Sequence, residues 1–174
     1  MAFLQIDYKS EALMRGVNIK VILPSDGMAG KWEPPYKTLY LLPGYSATAT
    51  ELITYLGLRG QSELKGIAIV LPDGENLFYQ DLPDRMTFYS TYVGKELVEV
   101  TRKMLPLSTK REDTFIGGIS MGGYGALYNG FKYRDTFSKV VAFSPAADAC
   151  MLLAGSEATI LPGRDIISNR SRNR

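Results

Sequence analysis

Residues 114–127 read Thr-Phe-Ile-Gly-Gly-Ile-Ser-Met-Gly-Gly-Tyr-Gly-Ala-Leu. An apolar run enters Gly118-Ile119-Ser120-Met121-Gly122, and a helix-like stretch leaves it. This Gly-x-Ser-x-Gly spacing is that of a sharp strand-to-helix turn, which lifts a serine hydroxyl clear of a sheet as a nucleophile. Gly118 and Gly122 stand where a Cβ would crowd the turn, the helix or the next strand. Ser120 would then sit at a helix N-terminus, whose free N–H groups and dipole favour developing negative charge. The Met121 N–H is placed to form half of an oxyanion hole. The other half is expected from Leu42-Pro43-Gly44-Tyr45-Ser46, where Gly44 permits a backbone geometry that turns the Tyr45 amide toward the nucleophile. The competing readings are a glycine-rich turn with a structural serine, and a plain turn at 43–46.

The chain contains no histidine. A serine nucleophile needs a base to take its proton, and in enzymes with this motif that base is histidine. Lys103, Lys110, Lys132 and Lys139 are the alternatives, since Ser-Lys pairs are known. No spacing aims any of them at Ser120, and solvated surface charge is their ordinary role. Asp148 follows a buried strand, where some hydrolases place an acid, but with no histidine to orient it reads as a loop or capping residue. Asp73, Asp81 and Asp84 lack regular ligand spacing, so no metal is expected, and no cofactor is implied.

The elements that would position these residues alternate. Phe3, Gln5 and Asp7 interleave with Leu4, Ile6 and Tyr8, and Val17, Ile19, Val21 and Leu23 share a face, so two strands come first. A turn-rich loop at 24–35 is expected to close this hairpin-like start. Residues 38–42, 67–71, 114–117 and 139–143 are apolar runs that read as buried parallel strands. Helices are expected over 51–58, with Thr48 or Thr50 as cap, over 89–105, and over 122–133. Residues 75–88 read as a long functional loop. Strands alternating with helices predict a doubly wound α/β fold, a mixed and mostly parallel sheet with an antiparallel edge. The core domain is expected over 1–148, with 149–174 an atypical basic tail rather than a second domain.

The 174 residues suit one domain. A formal net charge of +2 is too small to argue for nucleic acid or an anionic membrane. Arg164, Arg170, Arg172 and Arg174 form a short basic run without interleaved aromatics, a poor nucleic-acid signature. Cys150 is the only cysteine, so no internal disulfide is possible. The N-terminus lacks signal-peptide character and no segment reaches the length of a membrane span, so a cytoplasmic protein is expected.

The block Lys110–Leu127 resembles the esterase D-like family of α/β-hydrolases, and most nearly its small bacterial tributyrin or acetyl esterases. Leu41–Ser46, Leu71–Tyr79 and Phe143-Ser144-Pro145 support the resemblance, which covers about residues 1–148. It implies an α/β-hydrolase sheet flanked by helices, and hydrolysis of short-chain carboxylic esters through an acyl-serine intermediate. Ser120 matches the nucleophile, Tyr45 and Met121 match the oxyanion donors, and Gly118 and Gly122 match the elbow glycines. The 75–88 loop matches a segment near the acyl or leaving-group pocket. The chain departs from the family in two ways. Pro43 stands where the family usually has a histidine. The family's triad acid and histidine, and its last strands and helices, follow in sequence that this chain does not match. Truncation or frameshift of a longer gene is the expectation. The strand at 139–143 would then have an unpaired apolar edge, and homo-oligomerisation through it is predicted unless the tail covers it. The alternative function is a catalytically impaired esterase-like fragment that serves as a binding or scaffold module.

Overall fold

The period-2 pattern at the start of the chain becomes a hairpin. β1 (Ala2–Ser10) alternates half-buried and exposed side chains along its length, and β2 (Arg15–Leu23) buries Val17, Ile19 and Val21. In the computed structural model, residues 1–25 and 32–146 are described. The two strands pair in antiparallel register from Ala2↔Leu23 to Ser10↔Arg15, so the turn at 11–14 closes the hairpin. The loop expected to close it lies after β2 and leads instead to β3 (Lys37–Leu42). Composition announced a turn there but not which strands it joins.

α1 (Ala49–Tyr55) begins where Thr48 caps it. The Thr48 side chain accepts from the Glu51 N–H, and the Glu51 carboxylate accepts from the Thr48 N–H at 2.8 Å. This capping box satisfies two amides the helix cannot pair itself. α2 (Leu58–Lys65) was not expected from the sequence. It is short, carries Gly60 inside, and stops at Gly66 in the left-handed conformation. β4 (Ile67–Pro72) follows.

The 75–88 region is more ordered than a plain loop. β5 (Asp81–Leu82) and β6 (Thr87–Phe88) form a small antiparallel pair around a 3₁₀ turn at Pro83–Arg85. The expected helix over 89–105 is present but interrupted. α3 (Tyr89–Thr91) opens into a π-turn at Tyr92–Glu96 and resumes as α4 (Leu97–Met104). β7 (Thr114–Ile119), α5 (Met121–Lys132) and β8 (Lys139–Phe143) complete the described elements.

The main sheet has the order β1-β2-β4-β3-β7-β8. β2 meets β4 antiparallel, whereas β4, β3, β7 and β8 run parallel. One face packs Tyr40, Tyr79, Tyr89, Tyr92, Leu97 and Met121 beneath α3, α4 and α5. The other packs Ile22, Leu41, Leu52, Ile53, Ile69 and Leu71 beneath α1 and α2. Burial of apolar surface on both faces is what makes the central strands continuous apolar runs. Register pairs Leu42 with Gly118, so the loop after β3 and the turn after β7 leave the sheet side by side. That is the carboxyl edge, where open α/β sheets place their ligands. Among the described residues β8 pairs with β7 alone. The proposed tail at 149–174, together with Asp148 and Cys150, lies outside the described residues.

Candidate active site

Ser120 joins β7 to α5 with φ 56° and ψ −116°. A side-chain-bearing residue rarely adopts this backbone, which costs about 1–3 kcal/mol and persists only where surroundings impose it. Three hydrogen bonds do so. The Ser120 N–H donates to the Phe143 carbonyl at 2.9 Å, and the Ser120 carbonyl accepts from the Tyr124 and Ala146 N–H groups, both at 3.0 Å. The turn is therefore tied to its own helix and to the end of the neighbouring strand. Ser120 is half-buried, and its side chain does not cap α5. Its hydroxyl is thus not consumed by the helix it heads.

The two flanking glycines are required by contact. A Cβ on Gly118 would run into the Gly122 carbonyl, and one on Gly122 into the Leu42 and Pro43 carbonyls. The first turn of α5 thus lies directly against the end of β3. Gly44 faces the nucleophile closely too, since a Cβ there would stand 3.4 Å from the Ser120 Cβ. The sequence suggested Gly44 for its backbone freedom. The left-handed residue in that loop is instead Ser46, at φ 59°, and Gly44 provides proximity. Tyr45 lies between them with its ring exposed, and Met121 heads α5 with its side chain fully buried. Among the described residues, neither the Tyr45 nor the Met121 N–H donates to a protein acceptor.

Aromatic rings line this edge. Tyr45 and Phe78 have ring centroids 6.4 Å apart, Phe78 meets Tyr124 edge-on at 5.8 Å, and Tyr124 stacks on Tyr128 at 6.2 Å. A shallow groove of about 380 Å³ lies on the α1 side, lined by Tyr45, Leu52, Tyr55, Leu56 and Ile119. Apolar walls with a few oriented polar groups are the usual make-up of a small-molecule site.

The sequence offered Asp73 only as a weak metal candidate and Asn76 and Tyr79 only as members of a functional loop; the structure gives all three, between β4 and β5, a fastening role. Asp73 accepts from the Ala49 N–H at 2.7 Å, and Asn76 accepts from the Ser46 N–H at 2.8 Å. The Tyr79 hydroxyl donates to the Pro43 carbonyl at 2.8 Å. Burial pushes the Tyr79 phenol well above its ordinary pKa, with the nearby Tyr89 and Asp73 acting in the same direction. The hydroxyl therefore keeps its proton and remains a donor. No sequence spacing gives these partners away, because each bond joins segments about thirty residues apart in the chain.

The alternative bases and ligands are either engaged elsewhere or exposed. Lys132 donates to Asp81 at 2.9 Å and to Ser90 at 2.8 Å. Its partial burial favours the neutral amine, but the Asp81 hydrogen bond and charge outweigh this and raise its pKa. A lysine held charged is no base for Ser120. Lys139 lies over the Phe115 ring, and Lys103 and Lys110 are exposed. Asp81 also accepts from the Thr91 N–H, and Asp73 is used at α1.

Sheet order, strained serine and facing loop define the α/β-hydrolase esterase class of fold. The chain belongs to the esterase family described as "Putative esterase", whose match spans residues 10–171. An acetyl esterase of Caldicellulosiruptor saccharolyticus is 40% identical over 151 residues, covering 84% of this chain and 57% of that protein. An S-formylglutathione hydrolase of Paracoccus denitrificans is 29% identical over 164 residues, covering 80% and 56%. Among solved structures, the fluorophosphonate-binding serine hydrolase F of Staphylococcus aureus superposes with TM-score 0.78 at 28% identity, covering 93% of this chain and 64% of that one. The S-formylglutathione hydrolase FrmB of the same organism gives 0.75 at 30% identity, covering 88% and 61%. The chain thus spans little more than half the length of these curated relatives.

Proposed function

We propose that this chain carries the nucleophile and oxyanion half of a serine carboxylesterase acting on short-chain acyl esters. The observation that carries the reading is Ser120, held in a rare backbone conformation at the head of α5 and facing Gly44. Ser120 Oγ attacks the ester carbonyl carbon, and the carbonyl oxygen gains the negative charge. The Tyr45 and Met121 N–H groups donate to that oxygen, aided by the N-terminus of α5. Collapse of the tetrahedral intermediate expels the alcohol and leaves an acyl-Ser120, which water then hydrolyses. The seryl proton requires a base, and none of the 174 residues is histidine. In this reading the base lies outside this stretch. A small acyl group fits the family resemblance to acetyl and tributyrin esterases, and the Tyr45–Phe78–Tyr124 row offers an apolar wall for it.

The absent histidine favours one second reading for the stretch by itself, an impaired esterase-like binding module. Cytoplasmic residence is proposed from the cysteine content, a single Cys150 that suits a reducing compartment. Among the described residues no helix is long and apolar enough to cross a membrane. A fluorophosphonate probe separates catalysis from binding alone. With solvent as the only base available to this stretch, slow labelling of the wild-type chain that Ser120→Ala abolishes is the expected result. Folded protein that takes no label refutes an activated Ser120.

A further inference from the structure

We infer that Asn76 is a positioning residue that sets the Tyr45 amide of the oxyanion loop. The inference rests on the esterase reading above and concerns how its second oxyanion donor is held. Three side chains at intervals of three residues, Asp73, Asn76 and Tyr79, grip three points of the facing segment, also at intervals of three. They bind the Ala49 N–H, the Ser46 N–H and the Pro43 carbonyl. The grip therefore runs the length of the turn that presents Tyr45.

Each end of this grip is anchored. Tyr79 is fully buried and has φ 57°, and its carbonyl accepts from the Asn129 side-chain amide of α5 at 3.2 Å. Gly125 of the same helix gives the Tyr79 ring its room. The 76–79 turn is thus fixed against the helix that Ser120 heads. Asp73 holds the start of α1 at the other end. Between them, the peptide after Tyr45 lies inside a turn closed by the Ala47 N–H on the Gly44 carbonyl at 3.2 Å, and Asn76 ties that turn from outside: its Oδ1 takes the Ser46 N–H and its Nδ2 reaches the Ser46 hydroxyl at 3.5 Å. Ser46 is the left-handed residue of the turn. Asn76 thus holds the Tyr45–Ser46 peptide, the one after the peptide that carries the Tyr45 N–H, and through the shared Tyr45 Cα the turn it fastens constrains how that N–H is presented. Asn76 is exposed, so its bond competes with water and its contribution to global stability is small. Its effect is on local direction, to which an oxyanion donor is sensitive.

The test is the labelling rate of Ser120 by a fluorophosphonate in the whole chain. The step forms the Ser120 Oγ–P bond and breaks P–F. Fluoride leaves with the bonding pair, the seryl proton passes to solvent base, and the phosphoryl oxygen occupies the oxyanion position. Asn76→Leu removes the acceptor at similar size, and Asn76→Asp keeps it. Asn76→Leu is expected to slow the maximal labelling rate roughly three- to tenfold, the worth of one exposed hydrogen bond. Half-saturating probe concentration and melting temperature should be unchanged, and Asn76→Asp should restore the rate. Equal rates in wild type and Asn76→Leu overturn this inference alone. So does a slowed rate that tracks a lowered melting temperature. A wild-type chain that takes no label, although folded, overturns the esterase reading and this inference with it.

Discussion

Gly122→Ala and Gly60→Ala make the same chemical change in two helices and should act in opposite directions. Both glycines lie in helices, where exchange for alanine is favoured by about 1 kcal/mol on backbone entropy alone. Around Gly60 nothing stands within 4 Å of the added Cβ. That variant should gain the propensity term, a rise of about 2–4 °C in melting temperature for a chain of this size. At Gly122 the Cβ would overlap the Leu42 and Pro43 carbonyls. These are backbone atoms at the end of β3, so no side chain can rotate away. Relief requires moving the head of α5 from the sheet, and overpacking of this kind costs about 1–3 kcal/mol or more. Net of propensity, the variant should melt several degrees lower. Because α5 begins at Ser120, the same displacement should also slow fluorophosphonate labelling. Circular dichroism melts of the two variants beside wild type, with labelling rates at 25 °C, read both effects. A Gly122→Ala protein that melts as high as Gly60→Ala would refute the close packing of α5 on β3.

Two further predictions concern the rest of the molecule. Burial raises Tyr8 and Tyr40 from 10.0 to about 12. The folded state then holds protons that the unfolded state has released, so stability is intact below pH 10 and falls as pH rises from 10 through 12. For Tyr40 alone the loss is about 3 kcal/mol when complete, and denaturant midpoints measured at pH 8, 10 and 11 should fall slightly over the first interval and more steeply over the last. At β8, which among the described residues pairs with β7 alone, Val141 is 44% and Phe143 57% exposed, and Phe131 on α5 is 73% exposed. We propose self-association through this strand. Sedimentation velocity should show oligomers that Val141→Lys disperses, and a wild-type monomer at every concentration would dismiss the proposal.

What could be read from the sequence follows from what is local. A strand declares itself by its period, and β1, β2 and the four parallel strands stand close to where their patterns put them. Thr48 with Glu51 is a capping box by spacing alone. The elbow was legible because all its parts are contiguous: strand, glycine pair, serine and helix occupy residues 114–132. The missed α2 lacked a periodic face long enough to show. The π-turn in the 89–104 helix left no mark either, since an extra residue per turn leaves spacing inside the tolerance of a helical pattern.

By itself, the sequence determined that a serine would stand at a strand–helix junction, that Gly118 and Gly122 would flank it, and that no imidazole would come from these residues. It also determined the alternation that builds a mostly parallel sheet. The tertiary structure decided what that serine faces. Parallel pairing of β3 with β7 brings Gly44 against Ser120 across about seventy-five residues of chain. It also decided that Asp73, Asn76 and Tyr79, each an ordinary loop residue in sequence, fasten the loop carrying Tyr45. The physical reason is that hydrophobic periodicity specifies which face of each element is buried. Which elements become neighbours, and so which polar groups meet, depends on how the buried faces are satisfied together in three dimensions.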